Sequence, residues 1–337
     1  MFFLLRKTPL KPIQSSALFG ITSRFLSSKS GHQRNHDPDE PTSASYDELI
    51  TVAGRSKDFA TLQHLLNKRN KDGCFNTSNT FKFVTEENPN SILDDLTETL
   101  TGLDKGFARK NAFDSLIARL CNTNHIDESQ RVIAKMIQGG CGVNACTFHP
   151  LLNALTRKKK IDEAWGILTL MRENGIPIDV TAYNYILTAH CVDGNLTAAA
   201  GVLKKILEEG LKEDGRTYDA MVLGACRVGK VEGALEMLRR MEEAKIPVMY
   251  STHAHVISGL LGLGCIAQAV EFVLAVGGRD KGLDTHNFGY LGSRLVRRKR
   301  LEEAKLVSGE MDKRGLIVGK KLRSEYESLL SAELVAD

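Results

Sequence analysis

The sequence predicts an all-α protein, an α-solenoid in which helix-turn-helix repeats of 35 residues stack into a right-handed superhelix. Three observations support this fold class. One amphipathic segment recurs at a fixed spacing, apolar residues follow a helical period within each copy, and glycines recur where a second helix would end. The most regular copy, Ile161 to Gly175, reappears 70 residues later from Val231 and again from Leu301.

The composition is that of a chain with a sizeable core, since 42% of its 337 residues are hydrophobic and 26% are charged. No stretch is apolar for long enough to predict a membrane-spanning helix. Seven cysteines include no Cys-x-x-Cys pair, and three of them, Cys121, Cys191 and Cys226, fall at the same place in the repeat. This pattern predicts small buried side chains in a reducing compartment and argues against a disulfide framework.

The N-terminal segment differs in composition from the rest. Residues 1–36 carry six Lys and Arg and no Asp or Glu, so the net charge of +4 becomes −2 without them. An acid-free segment rich in Arg and Ser predicts a transit peptide over residues 1–30. The step from Arg24 to Ser28 favours import into the mitochondrial matrix, with the chloroplast or a disordered cytosolic tail as alternatives. Polar residues and two prolines predict a disordered linker over residues 31–42.

Two degenerate hairpins are predicted between the linker and the regular array, over residues 43–109. Ser45 to Leu66 fits the first, although its columns are weaker than those downstream. Thr80 to Phe107 fits the second, with SILDDLTETLTGL as its second helix. After the array, residues 320–337 predict a lone amphipathic helix with a charged outer side, which would cap the stack.

Six segments of 35 residues follow one another without a gap from residue 110 to residue 319. They are residues 110–144, 145–179, 180–214, 215–249, 250–284 and 285–319. In each, positions 4, 7, 8 and 11 share one face of a first helix, and positions 17, 20, 24 and 27 share one face of a second. Position 20 is small, Ser129 once and Ala otherwise, so the helices can approach closely. Glycines at position 31, such as Gly175 and Gly210, supply the left-handed residue that ends the second helix.

The repeat resembles that of the pentatricopeptide repeat family, in its pure-repeat class from plant organelles. The resemblance lies in the 35-residue period, the Tyr-Asn step near the start, the Ala of the second helix and the Met at position 27. The clearest copy is Val180 to Asp214, which opens VTAYNYIL and closes EEGLKED, and the resemblance covers residues 43–319. Tetratricopeptide repeats have a 34-residue period and a Trp-Gly-Tyr pattern, and here the single Trp165 does not recur.

The resemblance implies that each repeat contacts one base of single-stranded RNA through positions 5 and 35. The residues that could face a base are Asp114, Asn144, His149, Asp179, Asn184, Asp214 and Asp219. Only Asn184 with Asp214 is a usual pair of the family, and it implies uracil. Four of the remaining positions 5 and 35 offer no side-chain hydrogen bond, namely Met249, Ala254, Gly289 and Gly319, and Asp284 has Ala254 as its partner. Position 2, which is commonly aliphatic in the family, is aliphatic in none of the six repeats.

An Arg returns at position 13 in every second repeat, as Arg157, Arg227 and Arg297. The resemblance places this position where a cation can meet the RNA phosphates. Three phosphate contacts would give modest, salt-sensitive binding. The alternative is that these residues are solvated turn cations, which the C-terminal end of a helix dipole also favours.

The sequence predicts no enzyme, no metal site and no cofactor. Cys141, Cys146 and His149 resemble part of a zinc site, but no fourth ligand is evident. The glycines of GLLGLGC, from residue 259, lack the GK[ST] of a phosphate-binding loop, and the signature of zinc deaminases is absent. We therefore expect no small-molecule substrate and no membrane insertion.

Two functions fit these observations. The first is an organellar protein that binds single-stranded RNA and acts in transcript processing, stability, splicing or translation. The second is a structural subunit or associated factor of the mitochondrial ribosome or another ribonucleoprotein, without sequence readout. The arginines at position 13 and the Asn184–Asp214 pair favour the first. The unusual residues at positions 2, 5 and 35 and the net charge of −2 without the leader favour the second.

Overall fold

A computed structural model of the chain describes residues 41–85 and 90–334, and over these residues every regular element is an α-helix. None of these helices is long and apolar enough to span a bilayer. The predicted transit peptide (residues 1–30), most of the predicted linker and the last three residues of the predicted capping helix lie outside the described residues.

Sixteen helices make up the described part of the chain. The first three are α1 (Ser43–Arg55), α2 (Phe59–Lys71) and α3 (Asn90–Thr101). Six hairpins follow, namely α4 (Phe107–Asn122) with α5 (Ile126–Gln138), α6 (Ala145–Arg157) with α7 (Ile161–Glu173), α8 (Val180–Val192) with α9 (Leu196–Glu208), α10 (Gly215–Arg227) with α11 (Val231–Glu243), α12 (Tyr250–Gly262) with α13 (Ile266–Val276), and α14 (Lys281–Arg297) with α15 (Leu301–Lys313). The last helix is α16 (Lys320–Leu334).

The hairpins follow the 35-residue period. From α6 to α12 each first helix begins at position 1 of its segment, and each second helix from α5 to α15 begins at position 17. The start of α14 differs, because it lies four residues before position 1 at residue 285. Asp280 caps α14 there by accepting a hydrogen bond from the Leu283 amide at 2.8 Å, and α13 ends early, before Gly277 and Gly278.

The second predicted hairpin, from Thr80 to Phe107, is not formed as expected. Residues 78–83 are turns, and α3 stands as a single helix. The reason is a buried polar cluster, in which Asp47 accepts hydrogen bonds from Arg69 at 2.8 Å, from the Thr80 hydroxyl at 2.8 Å and from Thr77. The Thr80 hydroxyl also accepts from the Thr77 amide at 2.8 Å, and such local bonds compete with helix formation.

The two helix layers pack differently. Consecutive first helices from α4 to α14 contact each other along the whole array, and each second helix contacts its own first helix. Among the described residues, consecutive second helices from α5 to α13 make no comparable contact. The first helices therefore form a continuous wall, and their apolar positions are buried in it, as shown by Phe148, Leu151, Leu152 and Leu155.

Small residues allow the first helices to approach one another. A Cβ atom added at Gly224 of α10 would lie 2.9 Å from the Cys191 sulfur of α8, and one at Gly259 of α12 would lie 3.0 Å from the Cys226 Cβ of α10. Distances this short leave no room for a side chain. The recurrent cysteines are thus small packing residues of the wall, and Cys121 and Cys191 are buried.

His253 occupies a core position that is aromatic in the other repeats. Its side chain is 5% exposed, packs edge-on against Phe272 at 5.4 Å between ring centroids, and accepts a hydrogen bond from the Asn287 amide at 2.9 Å. Burial lowers the pKa of His253 to about 4, because the charged imidazolium would be desolvated there.

We expect the burial of His253 to make the fold sensitive to mild acid. Between the ordinary pKa of 6.5 and about 4, the unfolded chain binds a proton at this residue that the folded chain does not. The free energy of unfolding should therefore fall as the pH drops, by about 2 kcal/mol from pH 6.5 to about pH 5. Denaturation with urea at several pH values measures this. His253→Phe should flatten the slope, whereas the control His64→Gln, at an exposed position of α2, should retain it.

Candidate nucleic-acid interface

The two helix layers carry opposite net charge. The six first helices from α4 to α14 hold nine Lys and Arg against three Asp, a net charge of +6. The six second helices from α5 to α15 hold nine Lys and Arg against fifteen Asp and Glu, a net charge of −6. Acidic residues often lie in the first turn of a second helix, as do Asp162 and Glu163 in α7, where the helix dipole favours them. The low net charge of the chain thus conceals a basic layer of first helices.

Two grooves adjoin each other on the first helices. The larger has a volume of about 620 Å³ and lies along α6, α8, α10 and the start of α12. The other has a volume of about 590 Å³ and lies along α4, α6 and α8. Asn153, Arg157 and Tyr185 line both grooves, which therefore meet on α6 and α8. Four residues predicted from the sequence to contact RNA line these grooves, namely His149, Arg157, Asn184 and Asp219.

Asn184 and Asp214 are in direct contact. The Asn184 amide nitrogen donates to the Asp214 carboxylate at 2.9 Å, and the Asn184 oxygen accepts from the Thr217 hydroxyl at 2.8 Å. Asp214 also caps α10 by accepting from the Thr217 amide at 2.9 Å. These bonds fix the orientation of the Asn184 amide, which retains one N–H and one oxygen lone pair for another partner.

His149 and Asp179 form a second pair of the same kind. His149 Nε2 lies 3.0 Å from an Asp179 carboxylate oxygen, which also accepts from the Ala182 amide and so caps α8. The centroid of the His149 ring lies 6.0 Å from that of the Tyr185 ring. With Nε2 held by Asp179, Nδ1 is the nitrogen of His149 that is left for another partner.

Asp114 is held by groups other than its predicted partner. It accepts hydrogen bonds from Lys110 and from the Thr147 hydroxyl, the latter at 2.8 Å. Within the described part of the chain, Asp114 makes no hydrogen bond to the Asn144 side chain. Asn144 instead stands at the N-cap of α6.

Asp219 likewise has no bond to position 35, which is Met249. It accepts from the Ser251 and Thr252 hydroxyls at 2.9 and 2.7 Å, and His255 Nε2 lies 3.6 Å away. Burial would raise the pKa of the Asp219 carboxyl, but the nearby His255 and the hydrogen bonds from Thr252 and Ser251 outweigh it and hold the pKa below its usual value. Asp219 is therefore a carboxylate in the groove wall.

A recurrent threonine supports position 5 and is absent from the sequence prediction. In three repeats the threonine at position 3 donates to the position 5 side chain of the preceding repeat, 33 residues earlier. These bonds run from Thr147 to Asp114, from Thr217 to Asn184 and from Thr252 to Asp219, at 2.7 to 2.8 Å. All three threonines are fully buried. The recurrence of threonine at position 3 was visible in the sequence. Its hydrogen bond to position 5 of the preceding repeat was not.

The three arginines of position 13 have different surroundings. Arg157 and Arg227 are exposed, and neither forms an ion pair within the described part of the chain. Arg297 lies 3.7 Å from Glu325 of α16, which offsets part of its charge. Arg216, at position 2, is a further exposed cation on the wall of the larger groove, outside the series at position 13.

The thiols of the cysteine column are protonated. Burial raises the pKa of Cys121 and Cys191 to about 11 and that of Cys226 to about 12. A thiol is a poor nucleophile and a poor metal ligand unless it is deprotonated. Over the described residues, no group of three or more His, Cys, Asp or Glu side chains could hold a metal ion.

Comparisons with known proteins all indicate pentatricopeptide repeats. A family model described as pentatricopeptide repeat-containing protein matches residues 97–206, and a model of the PPR repeat matches residues 216–246. The chain is 64% identical over 291 residues to the pentatricopeptide repeat-containing protein At2g40240, mitochondrial, of Arabidopsis thaliana, covering 86% of this chain and 83% of that protein. It is 48% identical over 294 residues to At3g56030, mitochondrial, of the same species and described in the same words, covering 86% and 84%.

Solved structures of low sequence identity also align with the chain. A crystal structure of the pentatricopeptide repeat protein PPR10 in complex with an 18-nt psaJ RNA element aligns with a TM-score of 0.47 and 14% identity. The alignment covers 85% of this chain and 40% of that one.

We expect Thr217→Val to destabilise the protein by about 1–3 kcal/mol, because the buried Asn184 oxygen loses its donor and the Asp214 amide loses its acceptor, while the side-chain volume is nearly unchanged. Chemical denaturation measures the effect. The matched control is Thr188→Val, since Thr188 is exposed and donates only to a carbonyl of its own helix. Equal stability of the two variants would contradict a structural role for the bond between Thr217 and Asn184.

Proposed function

The chain belongs to the pentatricopeptide repeat family, and we propose that it binds single-stranded RNA along its layer of first helices. One observation carries the proposal: Arg157, Asn184 and Asp219 line the same groove, within a layer of net charge +6. Polar groups with free hydrogen-bonding capacity suit base edges, and the exposed guanidinium suits a phosphate.

Base recognition would centre on Asn184. Its remaining N–H and lone pair match the neighbouring acceptor and donor of a uracil edge. Asp214 and Thr217 hold the amide in a single orientation, so the order of donor and acceptor is set before RNA arrives. His149, oriented by Asp179, would add one further polar contact in the adjoining groove.

Phosphate binding would fall chiefly to Arg157 and Arg227, which have no carboxylate partner in the described chain. Arg297 should contribute less, because Glu325 lies beside it. The protein would act by binding alone, in transcript processing, stability, splicing or translation, with no catalytic group, metal or cofactor. A strand held in the grooves is shielded from nucleases and cannot fold on itself.

A mitochondrial location is proposed from two independent observations. The acid-free leader has the composition of a transit peptide, and two relatives that match 86% of the chain are named mitochondrial. We expect a fluorescent protein fused to residues 1–40 to enter mitochondria. A fusion that stays in the cytosol or enters chloroplasts would contradict this.

A second candidate is a structural subunit or associated factor of the mitochondrial ribosome or another ribonucleoprotein. The observation that favours it is the internal bonding of Asp114 and Asp219, whose carboxylates are held by neighbouring side chains and not by a position 35 partner. Sedimentation of organelle extract with and without RNase separates the two functions. Migration with ribosomal particles supports the structural role, whereas a small RNase-sensitive complex supports the first.

The RNA itself can be found by selection. A pool of random 20-nucleotide single-stranded RNA is enriched on the full chain, and the enriched sequences are compared. We expect an oligonucleotide in which one uracil is required, and Asn184→Ala should relax that requirement. Failure to enrich any RNA would overturn the proposed function.

We expect Arg157→Ala combined with Arg227→Ala to weaken binding of the selected RNA and to lower the salt dependence. Loss of two phosphate contacts should reduce the slope of log K against log salt by about 1.4. Arg297→Ala alone should change the slope less. The control is Arg239→Ala, because Arg239 lies on the second helix α11 in ion pairs with Glu236 and Glu243. An unchanged slope in the double variant would make these arginines ordinary turn cations.

A further inference from the structure

Aromatic rings line up on the first helices at the C-terminal end of the array. His286, Tyr290 and Arg294 are spaced four residues apart and so share one face of α14. The His286 and Tyr290 rings are nearly parallel, at 10° and 6.2 Å between centroids, and the Arg294 guanidinium lies 5.1 Å from the Tyr290 centroid. Tyr250, at the start of α12, extends the row, with its ring 5.1 Å from that of His286. These four residues are called the aromatic row.

The row is open to solvent but is held in place. Tyr250 is 54% exposed, and His286 and Arg294 are also exposed. The Tyr290 hydroxyl is bonded to the Ser258 hydroxyl at 2.7 Å and accepts from Arg294 at 2.9 Å. Tyr290 is half-buried and packs against the core, whereas the Tyr250 and His286 rings remain exposed, and the contacts between the rings restrict their motion. Exposed planar groups held at fixed positions are suited to stacking against another planar group.

The row begins next to the larger groove in the chain. Met249 and Ser251 line that groove, and Tyr250 lies between them in the chain. A strand that follows the first helices beyond the groove would therefore meet Tyr250 and then α14. This is the part of the array in which positions 5 and 35 supply no base-recognising pair, since they are Ala254 with Asp284 and Gly289 with Gly319. Asp284 is buried and accepts from the Gly278 amide at 2.7 Å.

We propose that the aromatic row is a stacking site for one or two bases of the same single-stranded RNA, without preference for the base. The proposal rests on the proposed function, since it assigns further nucleotides of the same bound strand. Rings and a guanidinium offer flat faces, and every base has a face to stack on them. The position of the row on the basic layer favours a nucleic acid over a protein segment as its occupant.

The row therefore divides the interface into two parts. Around Asn184 a base would be chosen by hydrogen bonds to its edge. At the row a base would be held by its face, which adds affinity and sets where the strand ends but does not select sequence. Such an arrangement accounts for a chain in which only Asn184 and Asp214 form a usual pair of the family, while positions 5 and 35 of the last repeats offer no base-recognising pair.

The test uses the full chain and the RNA selected on it from the random pool. Each nucleotide of that RNA is replaced in turn by an abasic one, and affinities are measured for the wild type, Tyr250→Leu and Tyr290→Leu. We expect each variant to bind the intact RNA at least about fivefold more weakly, as the loss of one stacked base would require. At one or two positions near one end of the RNA, an abasic nucleotide should weaken binding to the wild type. The same abasic nucleotide should weaken binding to the variants only slightly, because they already lack the stacking contact.

Three controls separate stacking from damage to the fold. Tyr250→Phe and Tyr290→Phe keep the ring and should bind within about twofold of the wild type. Trp165→Leu removes an aromatic ring from the second-helix layer and should leave binding unchanged. Thermal unfolding of each variant checks that the array is intact. Substituting the seated base by the other three should change affinity by no more than about twofold, unlike the uracil assigned to Asn184.

The outcomes distinguish this inference from the proposed function. Selection of an RNA whose binding is unaffected by Tyr250→Leu and Tyr290→Leu would overturn the stacking site and leave the RNA-binding function standing. The stacking site would also be overturned if, at every position of the RNA, the losses of binding free energy from the variant and from the abasic nucleotide were additive. If the variants retain RNA binding but lose a protein partner, the row is a protein-docking surface and the inference is wrong. Failure of the wild type to enrich any RNA would overturn both.

Discussion

The structure depends on the burial of each hairpin's apolar stripe against the next hairpin. A single pair of helices cannot remove such a stripe from water, so neighbours must stack. The stacking is closest between first helices, where Gly224 and Gly259 leave room only for the thiols opposite. That close approach places position 3 of one repeat beside position 5 of the preceding one. The buried threonine bonds follow from it.

The side chains that would contact a base also belong to the scaffold. Asp179 and Asp214 cap first helices, and the same carboxylates orient His149 and Asn184. Side chains held in this way are ordered before a ligand binds, which lowers the entropic cost of binding. This double role limits what can be exchanged, because neither Asn184 nor Asp214 can be altered without loss of a bond within the fold.

Opposite charge on the two helix layers reconciles a low net charge with a basic face. Acidic residues are placed on the second helices, often in the first turn, and the first helices keep the exposed arginines. Along that basic layer the character of the surface changes. The grooves along α4 to α12 offer oriented polar groups, whereas α12 and α14 offer rings and a guanidinium.

Periodicity in the sequence determined the helical hairpins and their 35-residue spacing, because these follow from one repeat and its register. The pairing of Asn184 with Asp214 was implied by the resemblance to the family. Periodicity failed at residues 78–83, where Asp47, thirty residues earlier in the chain, draws Thr77 and Thr80 into a buried cluster. The threonine bonds to position 5, the approach of Glu325 to Arg297, and the contact between the Tyr250 and His286 rings were also beyond its reach. Each of these joins residues on different helices, and only the stacking of the helices brings such residues together.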